Sequence, residues 1–300
     1  MKDVIIVGGG CAGLTAALYA ARAGKSVLVF EAENIGGQIT AAPYVDNYPG
    51  IPHVSGMAFA DGLYQQVIDL GVEVELDRVL SIQDTAEGKI VTAEGGEYSG
   101  KTVIIATGAK HRKIGLPQED KWIGHGISYC SVCDGAFYKG SPVAVVGGGN
   151  TAMCDALFLA SICESVTIIH RRCEFRADAH LLERVRKAEN VRILTDSIVE
   201  ELTGEKNLSG IRVRNCASGD VQDLAVEALF VAIGQVPQNA AFAHLLDTDE
   251  EGYLIAGEDA RTNVAGIFAA GDCRTKEIRQ LTTAVADGAN AAMAAWSCEG

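Results

Sequence analysis

An α/β fold that uses the same structural unit twice is predicted by two observations. The segment 4–31 consists of an apolar run, a glycine-rich turn, an alanine-rich stretch and a second apolar run, and the same order returns at 143–170. Short apolar runs that lead into a glycine turn and then a longer helical pattern are typical of a strand followed by a helix. Repeated strand–helix–strand units in turn predict parallel sheets covered by helices.

The composition supports a globular chain and disfavours several classes of function. The 300 residues are enough for two domains, and 48% hydrophobic with 21% charged residues can bury substantial cores. A net charge of −14 repels phosphate backbones and anionic lipid surfaces, which argues against nucleic-acid and membrane partners. Apolar runs stay below the length of about 18 residues needed to span a bilayer.

The N-terminal segment and the pattern of cysteines predict a cytoplasmic location. The N-terminus runs from Met1 through a few apolar residues directly into glycines, which is too short for the core of a signal peptide. The nine cysteines are an odd number and are mostly scattered through apolar segments, a pattern typical of reduced thiols. Cys130 and Cys133 are the one close pair.

The two glycine turns have the form of dinucleotide-binding fingerprints. The first glycine of each copy permits a tight turn, the second lets the backbone approach a pyrophosphate, and the third position allows close packing of helix on strand. The helix N-terminus supplies amide donors to the anion. The predicted cofactor contacts at the two turns are Gly8, Gly10, Ala12 and Gly13, and Gly147, Gly149, Asn150, Thr151 and Ala152.

The residue that ends the second strand of each unit distinguishes the two ligands. Glu31 stands at the spacing expected of an acid that accepts hydrogen bonds from an adenosine ribose, so the first unit favours an unphosphorylated ribose. The equivalent position of the second unit is His170, followed by Arg171, Arg172 and Arg176. Guanidinium groups bind a 2′-phosphate through charge-assisted hydrogen bonds, so NADP(H) is favoured over NAD(H) there.

Two further segments carry a resemblance to a known family. With the first glycine turn and Glu31, the runs Ala106-Thr107-Gly108 and Gly271-Asp272 resemble those of the flavoprotein disulfide reductases that bind two dinucleotides. The compact segment 130–135, together with 170–172 and 175–177, resembles the bacterial-type NADPH-dependent thioredoxin reductases. The resemblance covers nearly the whole chain.

The resemblance implies two Rossmann-like domains, the NADPH domain being inserted into a discontinuous FAD domain. The FAD domain would comprise 1–113 and 240–300, and the NADPH domain, carrying the cysteine pair, 114–239. The order of segments supports this independently, because Gly271-Asp272 belongs with the first turn yet follows the second. Neither crossing is a Gly/Ser-rich tether, so we expect two short connections that act as a hinge.

The spacing of Cys130 and Cys133 suits a disulfide that opens to a dithiol and so stores two electrons. A structural zinc site is the competing interpretation, but it needs four ligands, and only His170 and Cys173 offer ligand-like spacing for a second half. His170 falls at a nucleotide-facing strand end in the repeat, which disfavours that use. We therefore predict no metal.

The resemblance implies specific roles for the residues of this redox turn. Cys133 would lie against the flavin, Cys130 would attack the disulfide of thioredoxin or a thioredoxin-like protein, and Asp134 would be a general acid or base. An Asp-Gly turn is an equally good account of Asp134. The cysteines and the nicotinamide share one domain and the flavin belongs to the other, so we predict a domain rotation between half-reactions.

The resemblance also implies further flavin contacts and a homodimer formed by the flavin domains. Ser131 and Val132 replace the residues common between the cysteines of the family, a change that could shift the potential of the pair. A dithiol oxidase, a reductase of a peroxidase or glutaredoxin-like carrier, and a redox-sensing module stay open as alternatives. The additional flavin contacts are Gly37, Gln38, Asn47, Thr107, Gly108, Gly271, Asp272, Arg279, Gln280 and Leu281.

Overall fold

The computed structural model describes residues 1–297, and the chain forms two compact units. One unit comprises Met1–Lys110 with Val236–Gly300, and the other comprises His111–Gln235. Residues 298–300 lie outside the described residues, and so does Cys298. The divisions fall a few residues before the predicted boundaries 113/114 and 239/240, at two short strands that pair with each other.

Helices and strands alternate in two parts of the chain, whereas strands follow one another without a helix in 73–111 and 191–269. In chain order the strands are β1 (Lys2–Val7), β2 (Val27–Glu31), β3 (Glu73–Leu76), β4 (Val79–Thr85), β5 (Gly88–Ala93), β6 (Gly96–Ile105), β7 (Ala109–His111), β8 (Ile127–Ser128), β9 (Pro142–Val146), β10 (Ser165–Ile169), β11 (Val191–Leu194), β12 (Ser197–Gly204), β13 (Leu208–Asn215), β14 (Val221–Leu224), β15 (Ala228–Val231), β16 (Gln235–Pro237) and β17 (Ile267–Ala269). The α-helices are α1 (Cys11–Arg22), α2 (Gly56–Asp69), α3 (Glu119–Trp122), α4 (Ser131–Asp134), α5 (Asn150–Ala160), α6 (Ala179–Lys187) and α7 (Leu281–Ser297). Short 3-10 helices cover Gly37–Ala41, Gly135–Tyr138 and Gly271–Cys273.

The discontinuous unit is built on a seven-stranded sheet with the order β3-β2-β1-β6-β5-β4, to which β17 is added beside β6. The parallel part of this sheet contains β1, β2, β3, the end of β6 and β17. An antiparallel meander is formed by β4, β5 and the start of β6. The late strand β17 joins the early strand β6 by pairing Phe268 with Ile104. The chain segment after the insertion therefore completes the sheet begun before it.

Two apolar cores cover the two faces of this sheet. One contains Ile6, Val29 and Ile104 from the strands, packed under the small residues of α1 and α7. The other contains Ile5, Phe30 and Ile105 from the opposite faces of the same strands, packed under the meander and the segment 242–273. Parallel strands buried on both sides read as continuous apolar runs, which explains the unbroken pattern of β1 and β6.

The inserted unit has a five-stranded parallel sheet with the order β11-β10-β9-β15-β8 and a three-stranded antiparallel sheet, β12-β13-β14. Helices α5 and α6 cover one face of the parallel sheet, where Val143, Ile168 and Phe230 are buried. The antiparallel sheet covers the other face, where Ile169, Val213 and Leu229 are buried. The predicted fold class, α/β with two Rossmann-like halves, is confirmed.

Candidate active site

The two close cysteines form a disulfide at the start of a one-turn helix. The Cα atoms of Cys130 and Cys133 are 5.3 Å apart. Cys130 caps helix α4, and its Sγ accepts a hydrogen bond of 3.2 Å from the backbone N–H of Cys133. Both residues are half-buried, so the bond lies near solvent.

Asp134 ends the same helix and is held by a serine. Its Oδ2 accepts a hydrogen bond of 2.6 Å from the Ser128 hydroxyl, and the Cys130 backbone N–H donates to that hydroxyl at 3.1 Å. Burial raises the pKa of Asp134, and the serine donor offsets part of the rise. A carboxyl with a raised pKa one residue from a redox cysteine is chemically suited to exchange a proton.

A second carboxyl beside the redox turn was not found from the sequence. Asp155, on helix α5, accepts a hydrogen bond at Oδ1 from the hydroxyl of Ser131, which stands between the two cysteines. Burial raises its pKa as well. The sequence holds no local signal for this pair, because the two residues are far apart along the chain.

The first glycine turn has the steric requirements expected of a dinucleotide site. Gly8 has a φ of +111°, and a Cβ there would stand 2.3 Å from the carbonyl oxygen of Ala106. A Cβ on Gly13 would stand 1.9 Å from the carbonyl oxygen of Gly8, so close packing of α1 on β1 excludes any side chain. Gly10 caps α1 without a side-chain acceptor, which leaves the first amides of the helix to an anion.

Glu31 lies at the end of β2 and faces the first turn. Its Oε2 accepts from the backbone N–H of Gly9 at 2.7 Å, and its Oε1 accepts from that of Glu33 at 2.7 Å. The two backbone donors fix the direction of the carboxylate. Each oxygen keeps a further lone pair with which to accept from a hydroxyl.

The segment 271–272 places the carboxyl group of Asp272, one oxygen of which has no hydrogen-bond partner among the described residues, next to the same turn. Ala12 is buried, and a Cβ on Gly271 would lie 2.8 Å from its methyl group. In the part of the chain that the structure describes, Oδ1 of Asp272 is buried and has no hydrogen-bond partner. Burial raises the pKa of Asp272, although Lys276 and Arg279 act to lower it. A ligand with hydroxyl donors, such as the sugar-alcohol chain of a flavin, would satisfy that oxygen.

Two buried polar residues that the sequence reading missed support these loops. Asn239 accepts at Oδ1 from the Thr107 hydroxyl at 3.0 Å and donates to the carbonyl of Cys273 at 2.7 Å. Asp287, on α7, accepts at Oδ2 from the backbone N–H of Gly271 at 2.9 Å. The only sequence signal for Asp287 is a charge within an alanine-rich helix.

The remaining predicted flavin contacts lie on loops and helix starts of the same discontinuous unit. Asn47 donates from Nδ2 to Oε1 of Gln280 at 3.4 Å, and Gln38 donates from Nε2 to the carbonyl of Ala109. The guanidinium of Arg279 lies 4.0 Å from the ring centre of Tyr253. Gly37 opens a 3-10 helix beside Gly10, Gly108 has a φ of +69°, and Leu281 is the first residue of α7.

The second glycine turn repeats the steric pattern of the first. Gly147 has a φ of +156°, and a Cβ there would stand 2.3 Å from the carbonyl oxygen of Ala232 and 2.8 Å from the methyl group of Ala152. Gly149 caps α5, again without a side-chain acceptor. Thr151 is exposed in the first turn of that helix. Asn150 is held by Asp178, whose backbone N–H donates to its Oδ1 at 2.8 Å.

The segment after β10 carries one buried imidazole ring and three exposed guanidinium groups. The His170 ring is buried, stacks on Phe175 at 4.7 Å and contacts the Glu174 carbonyl oxygen through Nε2 at 2.9 Å. The structure thus gives His170 a packing role beside the turn. Its three neighbours have exposed side chains, and the described residues supply no acidic partner to them. They are Arg171, Arg172 and Arg176.

The backbone places one of these arginines against the second turn. The N–H of Arg176 donates to the carbonyl oxygen of Gly148 at 2.9 Å. The backbone of Arg176 is therefore held beside that turn.

The described residues offer neither a metal-binding cluster nor a membrane-spanning helix. They hold no group of three or more His, Cys, Asp and Glu side chains arranged to bind a metal. Nor does any helix among them combine the length and the apolar character needed to cross a membrane.

Comparison with known proteins defines the class to which this fold and site belong. Residues 2–288 match the family model of the pyridine nucleotide-disulphide oxidoreductases, and the chain belongs to that family. The thioredoxin reductase of Listeria monocytogenes is 42% identical, over 95% of this chain and 90% of its own.

Solved structures give the same relationship. The thioredoxin reductase of Streptococcus pyogenes has a TM-score of 0.96 at 40% identity and covers 100% of this chain and 98% of its own. The Lactococcus lactis thioredoxin reductase in its FR conformation has a TM-score of 0.68 at 38% identity, with 99% of both chains covered. The expected resemblance to bacterial thioredoxin reductases is therefore confirmed.

Proposed function

We propose that this chain is a thioredoxin-disulfide reductase that passes electrons from NADPH, through FAD and the Cys130–Cys133 disulfide, to thioredoxin. The observation that carries the proposal is this disulfide, built at a helix start in the same unit as the second glycine turn. The first turn, with Glu31 and Asp272, lies in the other unit. Two dinucleotide sites and one dithiol on a single chain form a complete electron route.

The two units offer residues that suit the two cofactors. FAD would be held at the first turn, with its ribose at Glu31 and the sugar-alcohol chain of its flavin at the unsatisfied oxygen of Asp272. NADPH would be held at the second turn, with its 2′-phosphate at Arg171, Arg172 and Arg176. When bound, FAD would accept a hydride from NADPH and supply two electrons to the disulfide.

The protein's own residues carry out the exchange with the carrier. After two-electron reduction, the Cys130 thiolate attacks one sulfur of the carrier disulfide, and the other carrier sulfur leaves as a thiolate. Asp134 supplies the proton that this thiolate takes up. The Cys133 thiol then gives its proton to the Asp134 carboxylate and attacks Cys130 in the mixed disulfide. This step restores the enzyme disulfide, and the second carrier sulfur leaves as a thiolate that takes up the same proton.

The order of segments makes domain rotation part of this proposal. Nicotinamide and the dithiol each require contact with the flavin at about 3–3.5 Å, and the dithiol must also reach a protein substrate. One fixed arrangement hardly meets all three requirements. The TM-scores of 0.96 and 0.68 for two relatives of nearly equal identity fit a family whose members adopt more than one conformation.

We also propose that the enzyme is a homodimer that works in the cytoplasm. The discontinuous unit exposes several large apolar side chains, among them Tyr19, Met57 and Met293, which a partner subunit would cover. Light scattering should give twice the 31.5 kDa of one chain. Six described cysteines are free thiols, which suits a reducing compartment.

The test of the function is turnover with purified holoenzyme and NADPH. Thioredoxin should be reduced in preference to glutaredoxin and oxygen, and Cys130→Ser or Cys133→Ser should abolish that turnover. The matched control is Cys154→Ser, which removes an exposed cysteine outside the pair and should leave turnover unchanged. Turnover with oxygen or another carrier in place of thioredoxin would overturn the assignment.

A further inference from the structure

The hydrogen bond from Ser131 to Asp155 joins the redox turn to the helix that follows the second glycine turn. Ser131 is 2% exposed and is the first residue of α4, directly after Cys130. Asp155 lies within α5, which begins directly after the glycine turn 147–149. The pair therefore fixes the position of the redox turn on a rigid element of its own unit.

Two carboxyls, each with one serine donor, are thus hydrogen-bonded to residues of the redox turn or next to it. Ser128 donates to Asp134, and Ser131 donates to Asp155. Burial raises the pKa of both acids, and the serine donors offset part of each rise. Tyr138, at the end of the 3-10 helix that follows the turn, is a further titratable group; burial raises its pKa, and the charges of Asp134 and Glu227 add to the rise. Among the described residues, no cation contributes to the pKa of either acid.

The charge of such an acid acts on the reduced form of the pair. A disulfide that takes up two electrons and one proton becomes one thiol and one thiolate, so reduction places a negative charge at the redox turn. A carboxylate held beside the turn without a compensating cation opposes that charge. It keeps the dithiol protonated to a higher pH than an uncharged neighbour would.

We propose that Asp155 is a positioning residue of the redox centre, which through Ser131 holds the one-turn helix in place and sets how readily the reduced cysteines ionise. The inference rests on the proposed function for its purpose, because only a working dithiol needs such control. Its chemistry is separable from that function. The ionisation of the thiols can be measured without NADPH or a carrier protein.

The experiment measures the alkylation rate of Cys130 and Cys133 against pH in the folded holoenzyme after chemical reduction with a phosphine. Peptide mass spectrometry separates these two thiols from the other cysteines, and the inflection of the rate gives the thiol pKa. Asp155→Asn keeps the size of the side chain and removes its charge. It should raise the acid dissociation constant of the more reactive thiol about three- to tenfold, as expected for one nearby charge in partly hydrated protein.

Ser131→Ala tests whether the acid acts through the serine. Without the serine donor, the ionised form of Asp155 is less stable, so less negative charge acts on the cysteines. The acid dissociation constant of the more reactive thiol should therefore rise, as in Asp155→Asn. In an Asp155→Asn background, Ser131→Ala should cause no further change. Val132→Ala, at an exposed neighbour in the same turn, and Cys154→Ser, an exposed neighbour of Asp155, are the controls and should leave the profile unchanged.

Three results would overturn the inference. They are an unchanged profile in Asp155→Asn, equal shifts in the two control variants, and full additivity of the two main substitutions. If Asp155→Asn does not fold, Ser131→Ala against Val132→Ala decides the question alone. Wild-type enzyme that fails to reduce thioredoxin would refute the proposed function while leaving the thiol titration intact, so the two failures are distinguishable.

Discussion

Removing the Asp287 carboxylate should destabilise the discontinuous unit through one buried cluster. Asp287 accepts from the Arg274 Nε and Nη2 at 2.8 Å each, from Lys276 Nζ at 2.9 Å and from the Gly271 N–H at 2.9 Å. The side chains of Arg274 and Asp287 are only 3% and 4% exposed. Burial acts to raise the pKa of Asp287, but the two cations hold it below its usual value.

The size of the effect follows from the charge that is left behind. Asp287→Ala leaves the Arg274 guanidinium buried with only the exposed Glu258 as an acidic partner, and breaking a buried pair in this way costs about 3–5 kcal/mol. For a unit of this size, that cost lowers the melting temperature by about 6–20 °C. The Gly271 amide also loses its acceptor, so FAD should be released more easily.

The assay follows flavin fluorescence during heating of the holoenzyme, with circular dichroism in parallel. Asn290→Ala, an exposed position on the same helix, is the control and should melt near the wild type. The double variant Arg274→Met with Asp287→Ala removes two of the three charges of the cluster, leaving Lys276, and should recover part of the loss. If Asp287→Ala melts with the control, or the double variant melts lower still, the reasoning from an uncompensated buried charge is refuted.

Three further outcomes are expected. Burial lowers the pKa of His111 to about 4, below the value near 6.5 of an unfolded histidine. The neutral ring therefore makes its full contribution to the free energy of unfolding above pH 6.5, and about 2 kcal/mol of that contribution is lost between pH 7 and pH 5. Urea unfolding of His111→Phe should lack that part of the slope, and an unchanged slope would contradict the account. Replacing Arg171, Arg172 and Arg176 together by alanine should reduce the preference for NADPH over NADH at least tenfold, because each charged hydrogen bond to a phosphate contributes about 1.5–3 kcal/mol. A preference that survives in steady-state kinetics would place the 2′-phosphate elsewhere. Gly147→Ala should raise the KM for NADPH more than tenfold with normal FAD content, since its Cβ would lie 2.3 Å from a carbonyl oxygen, and loss of FAD instead would assign the turn to the flavin.

The duplicated strand–turn–helix units were predictable because each is specified locally. The apolar runs, the glycines and the helix starts occupy neighbouring positions, so spacing alone places Gly8, Gly13 and Gly147 where only glycine fits. The antiparallel meander of β4, β5 and the start of β6 and the sheet β12–β14 were not predicted, since their partly exposed strands carry a weaker pattern.

The supporting polar residues were beyond sequence reasoning because their partners are distant along the chain. Asn239 meets Thr107, Asp155 meets Ser131, and neither pair is encoded by a local motif. His170 shows a different limit. It directly follows strand β10, as the repeat predicts, but its ring packs on Phe175. Spacing along the sequence fixes the position of a residue in the fold and not the direction of its side chain.

An anaerobic titration of the yellow holoenzyme with NADPH, followed at the flavin band, tests the electron route most directly. A flavin and a disulfide each take two electrons, so the wild type should consume two equivalents of NADPH per flavin before the band is fully bleached. The double variant Cys130→Ser with Cys133→Ser should consume one. Equal consumption by the two proteins, or a flavin that NADPH does not bleach, would contradict transfer through this disulfide.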